Sequence, residues 1–203
     1  MFKNVGFIGS GPLTQALAHH LVAAQIPVLI SNSRGPDSLT ELVAQLGETA
    51  DAVTVERAAD ADVVILALPF VRVPELAQVV PDWTGRIVID ATNQFAEYTP
   101  TYRGHVDLGE ETGSEWVARH LPGATIIKAF NAMYATYLSP DPRHHDGRQV
   151  VAAAGPRNLK AAGSWAAQVD LAVPQKLVLV HRSRHIGRTR PQRAATHPCL
   201  YAT

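Results

Sequence analysis

Residues 5–14, with the sequence VGFIGSGPLT, decide the fold class. The first four form an apolar run that is typical of a buried strand, and apolar residues recur at helical spacing after the glycines. Gly9 permits a tight turn, while Gly11 lets the backbone approach a pyrophosphate at the start of a helix, where unpaired N–H groups favour anions. Pro12 suits the first helical position, because its missing N–H costs little there. The stretch therefore predicts a strand–loop–helix unit that binds a dinucleotide.

Thr14 departs from this motif, which usually has Gly or Ala at that position. A larger side chain there predicts looser packing of the helix on the strand.

Apolar runs alternate with amphipathic segments along the first 170 residues. The runs lack polar alternation, which is typical of parallel strands covered on both faces. We expect strands at residues 5–8, 26–30, 52–55, 62–68, 86–90, 125–130 and 148–153. We expect helices at about residues 13–24, 39–46, 73–80, 114–121 and 156–169. The predicted fold is α/β, a Rossmann-type doubly wound parallel sheet in a single domain.

The composition is that of an ordinary globular protein, with 46% hydrophobic and 18% charged residues among 203. It argues against disordered, collagen-like and coiled-coil proteins. Apolar runs stay shorter than the roughly 18 residues that a membrane span needs, so no membrane partner is expected. One cysteine, Cys199, rules out an internal disulfide framework. Because the first residues also lack a secretory pattern, we expect a cytoplasmic protein.

The net charge of zero hides an asymmetry between two parts of the chain. Residues 1–170 carry a net charge of −6, while residues 171–203 carry +6 and contain no acid. We predict a dinucleotide-binding domain at 1–170 and a divergent basic tail at 171–203, in part disordered. Three interpretations of the tail stay open. They are a frame-shifted or divergent end, which we favour; a basic arm for polyanions; and a packed segment with an edge strand at 177–180. Nucleic acid is not expected as a partner.

The end of the second predicted strand distinguishes NAD from NADP. NAD sites usually carry an acid there, about 20 residues after the glycines, to bind the ribose 2′-hydroxyl. Residues 28–36 read VLISNSRGP and contain no acid. Arg34 can instead bind a phosphate through charge-assisted hydrogen bonds, beside the hydroxyls of Ser31 and Ser33. The segment predicts NADP(H), with a solvated loop arginine as the alternative.

Five segments occur in an order that resembles a known family. They are FIGSG at 7–11, SNSRGP at 31–36, ALP at 67–69, DATN at 90–93 and KAFN at 128–131. Over about residues 3–168 the chain resembles the NADPH-dependent coenzyme F420 reductases (F420-dependent NADP oxidoreductases) and their broader bacterial relatives. The resemblance implies a Rossmann-type NADP domain, commonly a homodimer, that passes hydride between NADPH and a deazaflavin.

The resemblance also assigns the binding residues at matching positions. Those expected to bind the cofactor are Gly9, Ser10, Gly11, Pro12, Leu13, Ser31, Ser33, Arg34, Ala67, Leu68, Pro69 and Asn93. Lys128 and Asn131 are candidates to hold a carbonyl or phosphate of the acceptor. The alternatives are a lysine that extends into solvent and an asparagine that caps the next segment. Hydride transfer between two rings needs alignment more than an acid or base, so no catalytic residue is nominated.

The predicted function is an NADPH-dependent oxidoreductase with coenzyme F420 or a similar ring as co-substrate. One alternative is the reduction of another small carbonyl, an imine or a metal chelate. Another is a non-catalytic NADP(H)-binding sensor or regulatory protein. No metal site is expected, since residues 144–146, HHD, lack a third ligand at helical spacing.

The segment from Ala91 to Gly113 is predicted as a long loop. Its aromatic residues Phe95, Tyr98 and Tyr102 suggest either a flap over the ring-binding crevice or packing of the loop itself.

Overall fold

The computed structural model describes residues 3–98, 103–132, 134–139, 152–155 and 179–182. The strands are β1 (Val5–Ile8), β2 (Val28–Ser31), β3 (Ala50–Ala52), β4 (Val63–Leu66), β5 (Ile87–Asp90), β6 (Phe95–Glu97), β7 (Arg103–His105), β8 (Thr125–Ala129), β9 (Ala152–Gly155) and β10 (Leu179–Arg182). The helices are α1 (Pro12–Ala23), α2 (Thr40–Leu46), α3 (Val55–Ala59), α4 (Val73–Val79), α5 (Gly113–His120) and α6 (Ala135–Leu138). Short 3₁₀ turns cover Pro36–Leu39 and Phe70–Arg72.

One sheet organises the described part of the chain, with the strand order β10-β9-β8-β5-β4-β1-β2-β3. The six strands from β8 to β3 in that order run parallel. β9 pairs antiparallel with β8, and β10 pairs parallel with β9. β1 lies between β2 and β4, so the chain order reverses there, and ligands of such sheets bind beyond the carboxyl ends of the strands at this point. The predicted α/β Rossmann-type fold is confirmed.

Both faces of the sheet are buried, as the unbroken apolar runs predicted. Val5 and Phe7 of β1 pack into one core cluster together with Leu17 of α1. Ile8 packs into a second cluster, which also holds Phe70 and Trp83. Because neighbouring strand residues point to opposite faces, the two clusters lie on opposite sides of the sheet.

Close backbone packing explains a glycine in the middle of β1. A Cβ atom on Gly6 would lie 1.9 Å from the carbonyl oxygen of Ala58 in α3. Only a residue without a side chain lets α3 approach the sheet this closely.

The third predicted strand, at 52–55, is displaced in the structure. The observed strand ends at Ala52, and Val55 begins α3. The Thr54 hydroxyl accepts a hydrogen bond from the backbone N–H of Arg57 and so caps that helix. The capping threonine, which the apolar pattern did not reveal, turns a predicted strand end into a helix start.

The segment from Ala91 to Gly113 is not wholly a loop. It contains an antiparallel hairpin in which Phe95 of β6 pairs with His105 of β7. The Tyr98 hydroxyl accepts a hydrogen bond from the Phe70 backbone N–H at 2.8 Å and donates one to the Asn93 carbonyl oxygen. Tyr98 therefore packs the hairpin against the sheet edge, in agreement with the second of the two predicted roles. Tyr102 lies outside the described residues.

Only parts of the predicted C-terminal elements lie in described ranges. β9 overlaps the strand predicted at 148–153, and β10 is an edge strand two residues beyond the predicted 177–180. The predicted helix at 156–169 and most of the predicted tail lie outside the described residues. None of the helices that the structure describes has the length and apolarity required to cross a bilayer.

A capping box begins α5. Thr112 Oγ1 accepts from the Glu115 backbone N–H, and Glu115 Oε2 accepts from the Thr112 backbone N–H at 2.8 Å. We expect Thr112→Ala to lower the free energy of unfolding by about 1 kcal/mol, because the Glu115 backbone N–H loses its side-chain acceptor. Urea denaturation measures this loss. Thr136→Ala, at an exposed threonine of α6, is the matched control, and an equal loss in both variants would contradict the capping role.

Candidate functional site

The glycine loop joins the carboxyl end of β1 to the start of α1. Gly9 has a φ of +120°, and a Cβ atom there would lie 2.0 Å from the Ala67 carbonyl oxygen. Gly11 precedes α1 without any side-chain capping bond, and a Cβ atom on it would meet nothing within 4 Å. The space in front of the helix is thus open, and the dipole and unpaired N–H groups at this end favour a phosphate.

Thr14 tightens the loop instead of loosening it. Its side chain is fully buried, and its hydroxyl donates to the Gly9 carbonyl oxygen at 2.8 Å. The expectation of looser packing at this position was wrong, because the Thr14 hydroxyl makes a hydrogen bond to Gly9 that Gly or Ala at position 14 could not make.

Asn32 holds the segment predicted to bind the 2′-phosphate, although the sequence analysis did not single it out. Its Oδ1 accepts from the Arg34 backbone N–H at 2.8 Å and from Ser38 Oγ at 3.2 Å. Its Nδ2 donates to Ser10 Oγ at 3.4 Å. The available signal was the type of residue, since an asparagine that bonds the backbone two residues on forms an Asx-turn. Asn32 thereby couples this segment to the glycine loop.

The predicted phosphate-binding residues differ in their access to a ligand. Ser31 is fully buried, and its hydroxyl donates to the Phe7 carbonyl oxygen at 2.8 Å, so its side chain joins β2 to β1. Ser33 and Arg34 are exposed just beyond the end of β2. Within the described ranges, none of the ion pairs involves Arg34. Its guanidinium is thus available to an anionic ligand.

The segment at Ala67–Pro69 lies beside the glycine loop, as predicted. The Ala67 N–H donates to the Ile8 carbonyl oxygen at 2.9 Å, which continues the pairing of β4 with β1. Leu68 is half-buried and Pro69 is exposed at the same edge of the sheet. This edge therefore brings the two predicted cofactor-binding segments together.

A buried carboxylate organises the next two strand ends. Asp90, at the end of β5, is 0% exposed. Its Oδ1 accepts from the Thr92 backbone N–H at 3.0 Å and from Thr92 Oγ1 at 2.6 Å. Its Oδ2 accepts from Ser114 Oγ at 2.8 Å and from Lys128 Nζ at 3.0 Å. These four hydrogen bonds, one of them from an ammonium group, offset the cost of burying the Asp90 carboxylate away from water.

Lys128 is part of this network and does not extend into solvent. Its Nζ also donates to the Thr92 carbonyl oxygen, and its side chain is 23% exposed. The ammonium group is thereby fixed at the carboxyl edge of the sheet. Asp90 was not among the predicted binding residues. The sequence feature that could have pointed to it is an acidic residue at the end of an apolar run.

Asn93 and Asn131 link the same two strand ends. Asn93 Nδ2 donates to the Asn131 backbone carbonyl oxygen at 3.1 Å. In return, Asn131 Nδ2 donates to Asn93 Oδ1 at 3.5 Å. Between β8 and Asn131, Phe130 is buried with a φ of +65°, a conformation rare for residues other than glycine. Such backbone conformations persist where the surroundings fix them and often occur at functional sites.

A cleft of about 360 Å³ opens at these strand ends. Its floor and walls come from the carboxyl edge of the sheet, the β6–β7 hairpin and the start of α5. The lining residues are Asn93, Gln94, Phe95, His105, Thr112, Gly113, Ser114, Lys128 and Asn131. Three of the predicted site residues, Asn93, Lys128 and Asn131, therefore share one cavity.

A surface ion pair joins α5 to the segment that precedes it. Arg119 donates to both carboxylate oxygens of Glu111, at 3.1 and 2.9 Å. These hydrogen bonds lower the pKa of the Glu111 carboxyl below its usual value.

In the part of the chain that the structure describes, no three His, Cys, Asp or Glu side chains are grouped as metal ligands. The HHD segment at 144–146 lies outside the described residues.

Comparisons with known proteins agree with this geometry. Residues 4–94 match the family described as NADP oxidoreductase, coenzyme F420-dependent. The structure of a hypothetical protein, SMa0349, from Sinorhizobium meliloti is 36% identical, with a TM-score of 0.75 over 84% of this chain and 82% of that one. A putative F420-dependent NADP-reductase from Arthrobacter sp. FB24 has a TM-score of 0.71 at 18% identity, over 90% of this chain and 85% of that one.

A curated relative, metalloreductase STEAP3 of Rattus norvegicus, is 27% identical over 152 residues, or 75% of this chain. The chain spans 29% of the length of that protein. The residues that match the family include the glycine loop and the acid-free end of β2. Over residues 4–94 the chain belongs to the family of coenzyme F420-dependent NADP oxidoreductases.

Proposed function

We propose that this NADP-dependent oxidoreductase prefers NADP(H) to NAD(H) and passes hydride between it and an acceptor in the cleft beside Lys128. A deazaflavin such as coenzyme F420, or a similar ring, is the proposed acceptor. The observation that carries the cofactor preference is Arg34, exposed beyond an acid-free strand end and positioned by Asn32. A guanidinium suits a phosphate, whereas a 2′-hydroxyl calls for a carboxylate.

The residues of the chain fit the cofactor. The backbone N–H groups after Gly11 would hold the pyrophosphate, since the space there is open. Ser33 and Arg34 would hold the 2′-phosphate, and the segment 67–69 would lie along the nicotinamide ribose. When bound, NADPH supplies a hydride from its nicotinamide ring. The protein contributes alignment and the exclusion of water, and Lys128 and Asn131 would hold the acceptor.

Arg34→Ala is expected to weaken NADPH binding about 10- to 100-fold, the equivalent of one lost charge-assisted contact. NADH binding should change little, because NADH has no 2′-phosphate. Titrations that follow nicotinamide fluorescence measure both constants. Arg57→Ala, at an exposed arginine of α3, is the matched control. An NADPH preference that survives the loss of Arg34 would refute the assignment.

The acceptor is tested by following NADPH oxidation at 340 nm with oxidised coenzyme F420, FMN, small ketones, cyclic imines and ferric chelates in turn. We expect turnover with the deazaflavin or flavin ring. A ferric chelate is included because the rat relative is named a metalloreductase. Tight NADPH binding without turnover of any acceptor would favour the alternative, a non-catalytic NADP(H)-binding sensor or regulatory protein.

The homodimer that the family resemblance implies is also a proposal, as are the cytoplasmic location and the absence of membrane and nucleic-acid partners. Size-exclusion chromatography with light scattering gives the oligomeric state directly, and a monomer at micromolar concentration would contradict the dimer.

A further inference from the structure

The charge of Lys128, which lines the cleft, is compensated by a buried carboxylate beneath the cleft floor. Lys128 Nζ lines the cleft and lies 3.0 Å from Oδ2 of the fully buried Asp90. An ammonium group has three N–H donors. Two of them are used by Asp90 and the Thr92 carbonyl oxygen. Within the described ranges no group takes the third donor, which leaves it for a molecule in the cleft.

The other polar groups of the cleft are neutral hydrogen-bonding groups. Asn93 and Asn131 offer side-chain amides, whereas the Ser114 hydroxyl already donates to Asp90. Among the described lining residues, His105 is the one further titratable side chain.

Phosphates and carboxylates bind strongly where a cation or a helix start is uncompensated. The helix start in this cleft, that of α5, already carries the Glu115 carboxylate, which accepts from the Thr112 N–H at 2.8 Å. The Asp90 carboxylate compensates the charge of Lys128 in the same way, so the remaining donors suit a carbonyl oxygen.

The hairpin supplies an aromatic wall to the same cavity. The rings of Phe95 and His105 lie 5.5 Å apart between centroids, and both line the cleft. Aromatic side chains favour contact with planar rings. Wall and floor together suit a planar molecule whose edge carries a carbonyl group.

We propose that Asp90 is the positioning and specificity-determining residue of the acceptor site. It makes Lys128 a charge-compensated hydrogen-bond donor for the carbonyl oxygen of an uncharged planar ring, and it disfavours anionic groups at that position. This inference rests on the proposed function in one respect, that the cleft is the acceptor site. Lys128 touches the ligand, and Asp90 acts through Lys128.

The test uses chemical protection of Lys128 rather than turnover. The full-length protein, saturated with NADP⁺, is acylated with an amine-selective reagent, and the modified lysines are quantified by peptide mass spectrometry. Lumichrome serves as the neutral carbonyl-bearing ring, and benzoate and inorganic phosphate serve as the anions. We expect lumichrome to slow the acylation of Lys128 at least about fivefold, since a bound ring occupies the remaining donor. The exposed Lys3 is the internal control and should react equally in all samples.

Asp90→Asn tests the role of the carboxylate itself, since it removes the charge with little change in shape. Phosphate and benzoate should then protect Lys128, and the KM for the acceptor should rise more than kcat falls. The urea midpoint and the NADPH affinity of the variant report its folding. If Asp90→Asn does not fold, the wild-type comparison of lumichrome with the two anions decides alone.

Equal or stronger protection by the anions in the wild type, or no protection by lumichrome, would overturn the inference. The two proposals fail separately. NADPH oxidation with unprotected Lys128 would remove this inference and leave the proposed function standing. Protection of Lys128 by lumichrome in a protein that oxidises no NADPH would contradict the proposed function and leave this inference standing.

Discussion

Gly9→Ala should lower the free energy of unfolding by about 3–5 kcal/mol and abolish measurable NADPH binding. Two costs add up at this position. A Cβ atom would lie 2.0 Å from the Ala67 carbonyl oxygen, and the φ of +120° is strained for any residue with a side chain. Overpacking and backbone strain each cost about 1–3 kcal/mol, and the colliding atom here is backbone, which cannot rotate away. Either the loop or the β1–β4 pairing must shift.

Gly11→Ala is the matched control for this prediction. A Cβ atom there meets nothing within 4 Å, and the φ of −73° suits any residue. We expect the urea midpoint of Gly11→Ala to stay close to that of the wild type, while its NADPH affinity falls, because the new methyl group occupies the space in front of α1. Equal stability losses in the two variants would show that the loop is not held as the structure describes.

The contrast between these two glycines marks how far the sequence could predict the site. The GSGP segment after a short apolar run indicated a turn and an anion-binding helix start, because both properties are local to the chain. Gly6 carried no such signal. Gly6 is required because the backbone of Ala58 in α3 packs directly against it, and only the packed fold reveals that contact.

The sheet followed from periodicity because each parallel strand is buried on both faces and therefore reads as an apolar run. Elements held by polar side chains did not. The capping hydroxyl of Thr54 moved a strand end, and the β6–β7 hairpin, whose strands are exposed or half-buried, lacks the apolar pattern that reveals strands. Short elements like these depend on specific hydrogen bonds, which composition does not display.

The acceptor side shows the same limit. Lys128 and Asn131 were predicted through motif positions, but the residue that organises them was not. Asp90 and Lys128 are 38 residues apart and meet only because β5 pairs with β8. Register places the two strand ends side by side, so the ion pair is a property of the sheet, not of either motif.

Asp90→Ala is the second substitution with a large expected effect, a loss of about 3 kcal/mol in the free energy of unfolding. The change strands the Lys128 ammonium and removes the acceptor of Ser114 and of the Thr92 hydroxyl. Breaking a buried pair from one side costs about 3–5 kcal/mol. The lower value applies because the Lys128 side chain is 23% exposed and water can solvate part of it.

A double-mutant cycle separates the ion pair from the rest of the network. Lys128→Met alone leaves the Asp90 carboxylate with its bonds from Thr92 and Ser114, and it should cost about 2 kcal/mol. If the two groups stabilise each other, the double variant should lose clearly less than the sum of the single losses, by at least about 1 kcal/mol. Additive losses would mean that Asp90 serves Thr92 and Ser114 alone. In that case the charge of Lys128 would stand uncompensated in the cleft, and an anionic acceptor would become the better expectation.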